Sequence, residues 1–109
     1  MELLTQQQRE QMIANGRANA GREITQEKLF CPWSLAIWLL TELDPETNIA
    51  FGLCDLGQGF PELGTVSLTE MASVEGPDGL RIERDLHVKP TKTLSAYARE
   101  AHARQRITR

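Results

Sequence analysis

Hydrophobic and polar positions follow different rules along this chain, and each stretch predicts its own element. Thr5-Gln6-Gln7-Gln8 has the form of a capping box and opens a short helix over 6–14, with Gly16 available as its left-handed stop. Its apolar face is thin, only Met12 and Ile13, so it is expected to dock lightly. NGRANAGRE then reads as part of an exposed loop over 15–27. LFCPW is a short apolar run interrupted by Pro32, which cannot donate to a central ladder. In SLAIWLLTEL, Ala36, Trp38 and Leu40 alternate with Ile37 and Leu39, the pattern of a strand buried on both faces or of a buried helix. Its β-branched and aromatic content, and the DPETN turn that follows, favour the strand.

The return strand is IAFGLCDL, whose Gly52 is expected to make room for the indole of Trp33 or Trp38. Leu63 to Leu68 forms a third strand and runs into a helix. There Ser67 and Glu70 make a second capping box, with Val66 and Met71 as its hydrophobic staple. That helix is expected to stop at Gly76-Pro77, followed by a PDGL turn. LRIERDLHV alternates as a half-exposed strand, and Leu94, Tyr97, Ala98 and Ala101 fall on one face of a C-terminal helix. The order αβββαβα describes one α+β domain over 1–109, with a largely antiparallel sheet of about four strands and three helices. The sheet and helices span 28–104, and the basic end spans 105–109.

Composition narrows the function classes. With 109 residues, 40% of them hydrophobic and 25% charged, the chain suits a single modest core. No apolar run reaches the ~18 residues of a membrane span, and MELLTQQQREQ lacks the build of a signal peptide. Cys31 and Cys54 both sit beside apolar residues, as reduced thiols of a cytoplasmic protein would. The net charge of −3 is strongly polarised. Residues 42–85 carry ten acids against Arg81 and Arg84, while residues 86–109 carry six bases against Glu100. That layout disfavours a nucleic-acid surface centred on the sheet.

Candidate chemistry is sparse. CDLGQGFPELG could set Asp55 and Glu62 at facing strand ends as paired carboxylates. A turn in which Gly57 and Gly59 supply positive φ explains the same residues with less. Glu83, Asp85 and His87 are competent metal ligands, but i and i+2 positions lie ~6.5–7 Å apart along a strand and do not close on one ion unaided. Cys31, Cys54, His87 and His102 lack the close pairing of a zinc site. Ser67 is a helix cap rather than a nucleophile, and Trp33 and Trp38 are core candidates before they are base-stacking platforms.

KLFCP…WLLTELDP, IAFGLCDLGQGFPELG, VSLTEM, GPDGL-RIERDLH and LSAYA, in that order from Leu3 to about Ile107, resemble the bacterial domain of unknown function 2958 family. The family more often has Thr-Pro-Asp where Cys31-Pro32-Trp33 stands. The resemblance implies small, stand-alone bacterial proteins often carried on plasmids and integrative elements, and it implies no activity or catalytic residue. The resulting expectation is a non-enzymatic interaction module of a mobile genetic element, without cofactor or membrane. Glu42, Asp44, Glu46, Glu62, Glu83 and Asp85 would meet a basic protein partner, for example as an inhibitor of a host defence nuclease. The alternatives are a metal-dependent enzyme or nuclease using Glu83, Asp85 and His87, and nucleic-acid binding through Arg99, Arg104, Arg106 and Arg109.

Overall fold

Ile37–Asp44 forms the central strand of the sheet, and its pairing decides the rest. The computed structural model describes residues 3–18, 27–86 and 93–107. In chain order the elements are α1 (Gln6–Ala18), β1 (Glu27–Phe30), β2 (Ile37–Asp44), β3 (Ile49–Asp55), β4 (Glu62–Ser67), α2 (Leu68–Ser73), β5 (Glu83–Arg84) and α3 (Leu94–Arg104). The five strands are antiparallel in the order β4-β3-β2-β1-β5. The class is the α+β expected, with one strand more. Glu27–Phe30 pairs with β2, where the sequence showed only a broken apolar run.

The two faces of the sheet bury different sets. Met12 of α1 and Leu68 and Met71 of α2 pack with Leu29, Ala36, Trp38, Leu40, Leu43 and Ala50 on one face. Leu94, Ala98 and Ala101 of α3 pack with Ile37, Leu39 and Leu53 on the other. The alternation in IWLL therefore serves two cores, and Trp38 is 7% exposed.

Alternation breaks at Thr41. Leu40 pairs with Gly52 and Glu42 with Phe51, so Thr41 is the extra residue of a β-bulge. Beyond it the parity inverts, and Leu43, rather than Glu42, continues the core row of Trp38 and Leu40. The bulge also presses β2 onto β3. A Cβ at Gly52 would lie on the Leu39 carbonyl oxygen and 2.7 Å from the Leu40 Cα. Gly52 thus accommodates the β2 backbone and not an indole. The glycine that accommodates an indole is Gly76, whose Cβ would fall 2.5 Å from the Trp33 ring.

β1 pairs β2 only as far as Leu40, and α1 takes over beyond it. The buried Asn15 side chain donates to the Thr41 carbonyl at 2.9 Å. This contact, with Met12 beside it, carries α1 through the expected stop at Gly16 to Ala18, past the expected helix end at Ala14. The Thr5–Gln8 box is reciprocal as predicted, at 2.9 and 3.1 Å. The Ser67 hydroxyl accepts from the Glu70 amide at 3.1 Å, a cap worth ~1 kcal/mol.

Two further boundaries differ from expectation. α2 ends at Ser73, with Val74 as its extended cap, and Gly76 has φ −98, so it is no left-handed exit. A 3₁₀ turn over Pro77–Gly79 follows, and the Arg81 guanidinium folds back to the Ala72 carbonyl at 3.3 Å. Those bonds keep Leu80 and Arg81 out of the sheet, and among the described residues the long strand expected from Leu80 is reduced to Glu83–Arg84, with His87 and Val88 lying outside them. Leu86 is 67% exposed.

Gly52→Ala should cost about 3 kcal/mol or more, the upper end of overpacking, because backbone cannot yield as a side chain can. Urea denaturation measures it; near-native stability in this variant would place the bulge elsewhere.

Candidate functional site

The turn after β2 is built to hold its shape. The Asp44 carboxylate accepts from the Glu46 amide at 2.9 Å, and the Thr47 hydroxyl accepts from the Ile49 amide at 3.3 Å. Asn48 takes the left-handed conformation at φ 60, which asparagine tolerates. Its side chain then ties the turn to α1 and α2, accepting from Arg9 at 2.7 Å and donating to the Thr69 hydroxyl at 2.9 Å. Asp44 and Glu46 are consequently exposed carboxylates on a braced turn.

Beside that turn lies a cleft of about 600 Å³. Phe51 and Ile49 of β3, Thr65 of β4 and the α1 end at Ile13, Gly16 and Arg17 line it. Glu42 and Asp44 supply carboxylates at its rim. The register explains the set. Glu42 pairs with Phe51 and Phe51 with Thr65, so these three side chains share one face across three strands. Without the bulge Glu42 would face the opposite core.

The other expected carboxylates lie elsewhere. Glu62 begins β4, and Glu83 and Asp85 belong to the β5 edge, four strand spacings or roughly 19 Å away across the sheet. The six acids are thus divided among three places: Glu42, Asp44 and Glu46 at the turn, Glu62 alone, and Glu83 with Asp85 at the β5 edge. Asp85 is engaged with Lys28, through an ion pair at 3.7 Å and an amide-to-carbonyl bond at 2.9 Å. His87 lies outside the described residues, and among those described no three His, Cys, Asp or Glu side chains are placed to hold a metal ion. Of the basic residues, Arg104 pairs with Glu100 at 3.8 Å, Arg99 stands on α3 beside Leu63, and Arg109 lies outside the described residues.

CDLGQGFPELG is a turn. Gly57 and Gly59 have φ of 79 and 83, and Asp55 is 2% exposed with both oxygens occupied. One accepts from the Gly57 amide and the other from the Ile107 amide, each at 2.8 Å. Asp55 therefore latches the segment after α3 onto the sheet, with Ile107 packed in the α3-side core, and its two oxygens are used in holding backbone. Cys31 and Cys54 are free thiols, and burial pushes the Cys54 thiol up, away from the reactive thiolate. The cleft floor, Phe51 and Ile49, was not singled out in the sequence. Their alternation is visible there, but their alignment with Glu42 depends on the bulge.

An α+β domain with a five-stranded antiparallel sheet between unequal helical layers is thus the class that the fold defines. The family model described as a protein of unknown function, DUF2958, matches residues 3–108, and the chain belongs to that family. No curated protein and no solved structure matches it.

Glu27 supplies a pH test of the α1–β1 contact. Burial raises its carboxyl above the ordinary value, against the opposing pull of the Arg84 guanidinium. A raised folded value means the folded state holds the proton more tightly. Its contribution to stability is therefore greatest in acid and is lost as pH rises from the unfolded value through the folded one. Glu27→Gln retains an acceptor for the Gln8 side-chain amide, which donates to Glu27 at 2.9 Å. The variant should melt higher than wild type at neutral pH, and the difference should vanish well below the ordinary carboxyl value of ~4.3, where the Glu27 carboxyl is protonated folded and unfolded alike. Thermal melts across that range check it; a variant less stable at neutral pH would make Glu27 a net stabilising charge.

Proposed function

We propose that the protein is a non-enzymatic protein-interaction module, and that it meets a basic partner through the acidic corner formed by Glu42, Asp44 and Glu46. The observation that carries the reading is the braced turn displaying Asp44 and Glu46 beside the 600 Å³ cleft. A lysine or arginine side chain fits such a place. Its aliphatic stem lies over Phe51 and Ile49 while its charged head meets the carboxylates at the rim. A turn held by four side-chain hydrogen bonds loses little entropy on binding, so its charges act as a prearranged surface.

Family membership makes a bacterial, mobile-element setting our proposal as well, and free thiols suit a cytoplasmic one. No helix among the described residues is long and apolar enough to cross a membrane. In such a setting a host defence nuclease is one partner of the required kind, because its phosphate-binding cations would accept carboxylates instead.

The test is affinity capture from the native host by wild type and by a double variant, Asp44→Asn with Glu46→Lys. Asparagine keeps the acceptor that braces the turn, so thermal melts should coincide. Wild type should retain a basic protein, and the variant should retain about tenfold less or lower, with the loss greatest at low salt. Undiminished capture by the variant, or capture of nucleic acid in place of a basic protein, would overturn the reading.

A further inference from the structure

Among the described residues strand β4 is an edge of the sheet, paired with another strand on one side alone. The Leu68 amide donates to the Asn48 carbonyl at 3.0 Å, in register with the β3–β4 ladder. Antiparallel pairs alternate, so Gly64 and Val66 bond inward to β3 while Leu63 and Thr65 aim N–H and C=O away from it. Edge strands are ordinarily blunted by lysine, proline or a bulge. ELGTVS contains neither residue, and its ladder with β3 shows no register shift. Leu63 is 46% exposed, and Phe60 just before the strand is 78% exposed.

A groove flanks this edge on each face of the sheet. On the α2 side, Val66, Met71, Val74, Leu56 and Trp38 line a largely apolar space of about 500 Å³. On the α3 side, Leu63, Ala98, Arg99 and His102 line one of about 770 Å³, with Glu62 at the strand's start. Between them sits Gly64, where a Cβ would meet nothing within 4 Å and where φ is not positive. Among the described residues, neither crowding nor backbone conformation calls for that glycine. A glycine inside a strand often marks the close approach of another backbone.

We propose that β4 is completed by an extended segment of a partner protein, with apolar side chains entering the α2-side groove and carboxylates facing Arg99 and His102. Main-chain bonds to Leu63 and Thr65 supply the attachment, and the two grooves read alternate side chains of the added strand. This edge adjoins the cleft of the acidic corner at Thr65 but uses that residue's main chain and none of the carboxylates of Glu42, Asp44 and Glu46, so the two readings can fail separately.

The probe is a capped synthetic peptide of about eight residues, alternating valine and aspartate, long enough to cover the strand. It is titrated into the isotope-labelled full-length protein and followed by amide NMR and hydrogen exchange. The Leu63 and Thr65 amides should shift saturably and exchange more slowly, and a valine–lysine peptide should bind about tenfold more weakly. Thr65→Pro removes an outward N–H without breaking a bond to β3, and should abolish binding. Arg99→Glu, at an exposed helix position, should fold normally and weaken the aspartate peptide about fivefold or more; it decides the matter if Thr65→Pro fails to fold. The acidic-corner double variant should bind the peptide as wild type does. Absence of shifts at β4 up to millimolar peptide, or equal binding of the lysine peptide, would overturn the proposal. So would a dimer of the protein abolished by Thr65→Pro, which would assign the edge to a second copy.

Discussion

One extra residue in the central strand organises this protein. With Thr41 bulged out, Leu43 rejoins Trp38 and Leu40 in the α1-side core, and Glu42 turns to the opposite face. A regular strand would bury Glu42 and expose Leu43, exchanging an apolar contact for a buried charge. Three other features are coupled to that residue. Gly52 lets the displaced β2 backbone approach, Asn15 bonds the Thr41 carbonyl, and β1 ends where α1 begins to cover β2. The Thr41 hydroxyl, buried with no hydrogen-bond partner among the described residues, is a local cost of the arrangement.

The surfaces proposed for binding follow from how unevenly the sheet is covered. α3 packs its small Ala98 and Ala101 against Ile37, Leu39 and Leu53, and Asp55 secures the chain beyond it through Ile107. At the other end of β3, Phe51 is partly buried and floors the cleft together with Ile49 and Thr65. The bulge brings Glu42 to that same face, so the acidic corner is a consequence of core packing rather than an addition to it. The free side of β4 arises differently. It is the last strand in the order, and the described helices lie over the faces of the sheet rather than along this edge.

Much of the fold was legible because it rests on local chemistry. The Thr5 and Ser67 caps, the two-faced alternation around Trp38 and the turn glycines Gly57 and Gly59 each depend on neighbours within a few residues. What was not legible depends on contacts distant in sequence. β1 shows as a strand only through β2, α1 continues past Gly16 because Asn15 reaches Thr41, and Trp33 finds its space over Gly76 rather than Gly52. The strand expected from Leu80 was lost to turn bonds, including Gly76 to Leu80 at 2.7 Å, that alternation cannot reveal. The candidate site was half legible. The excess of acid was plain, but its division among three places, and the gathering of Glu42 with Phe51, required the register.

The bulge is tested most directly by comparing Leu43→Ala with Glu42→Ala in equilibrium urea denaturation. The structure predicts that Leu43→Ala loses ~2–5 kcal/mol by opening a core cavity, while Glu42→Ala loses no more than ~1 kcal/mol. The reverse order, with Leu43 tolerant and Glu42 costly or strongly stabilising on replacement, would mean that β2 alternates without interruption and would contradict this account.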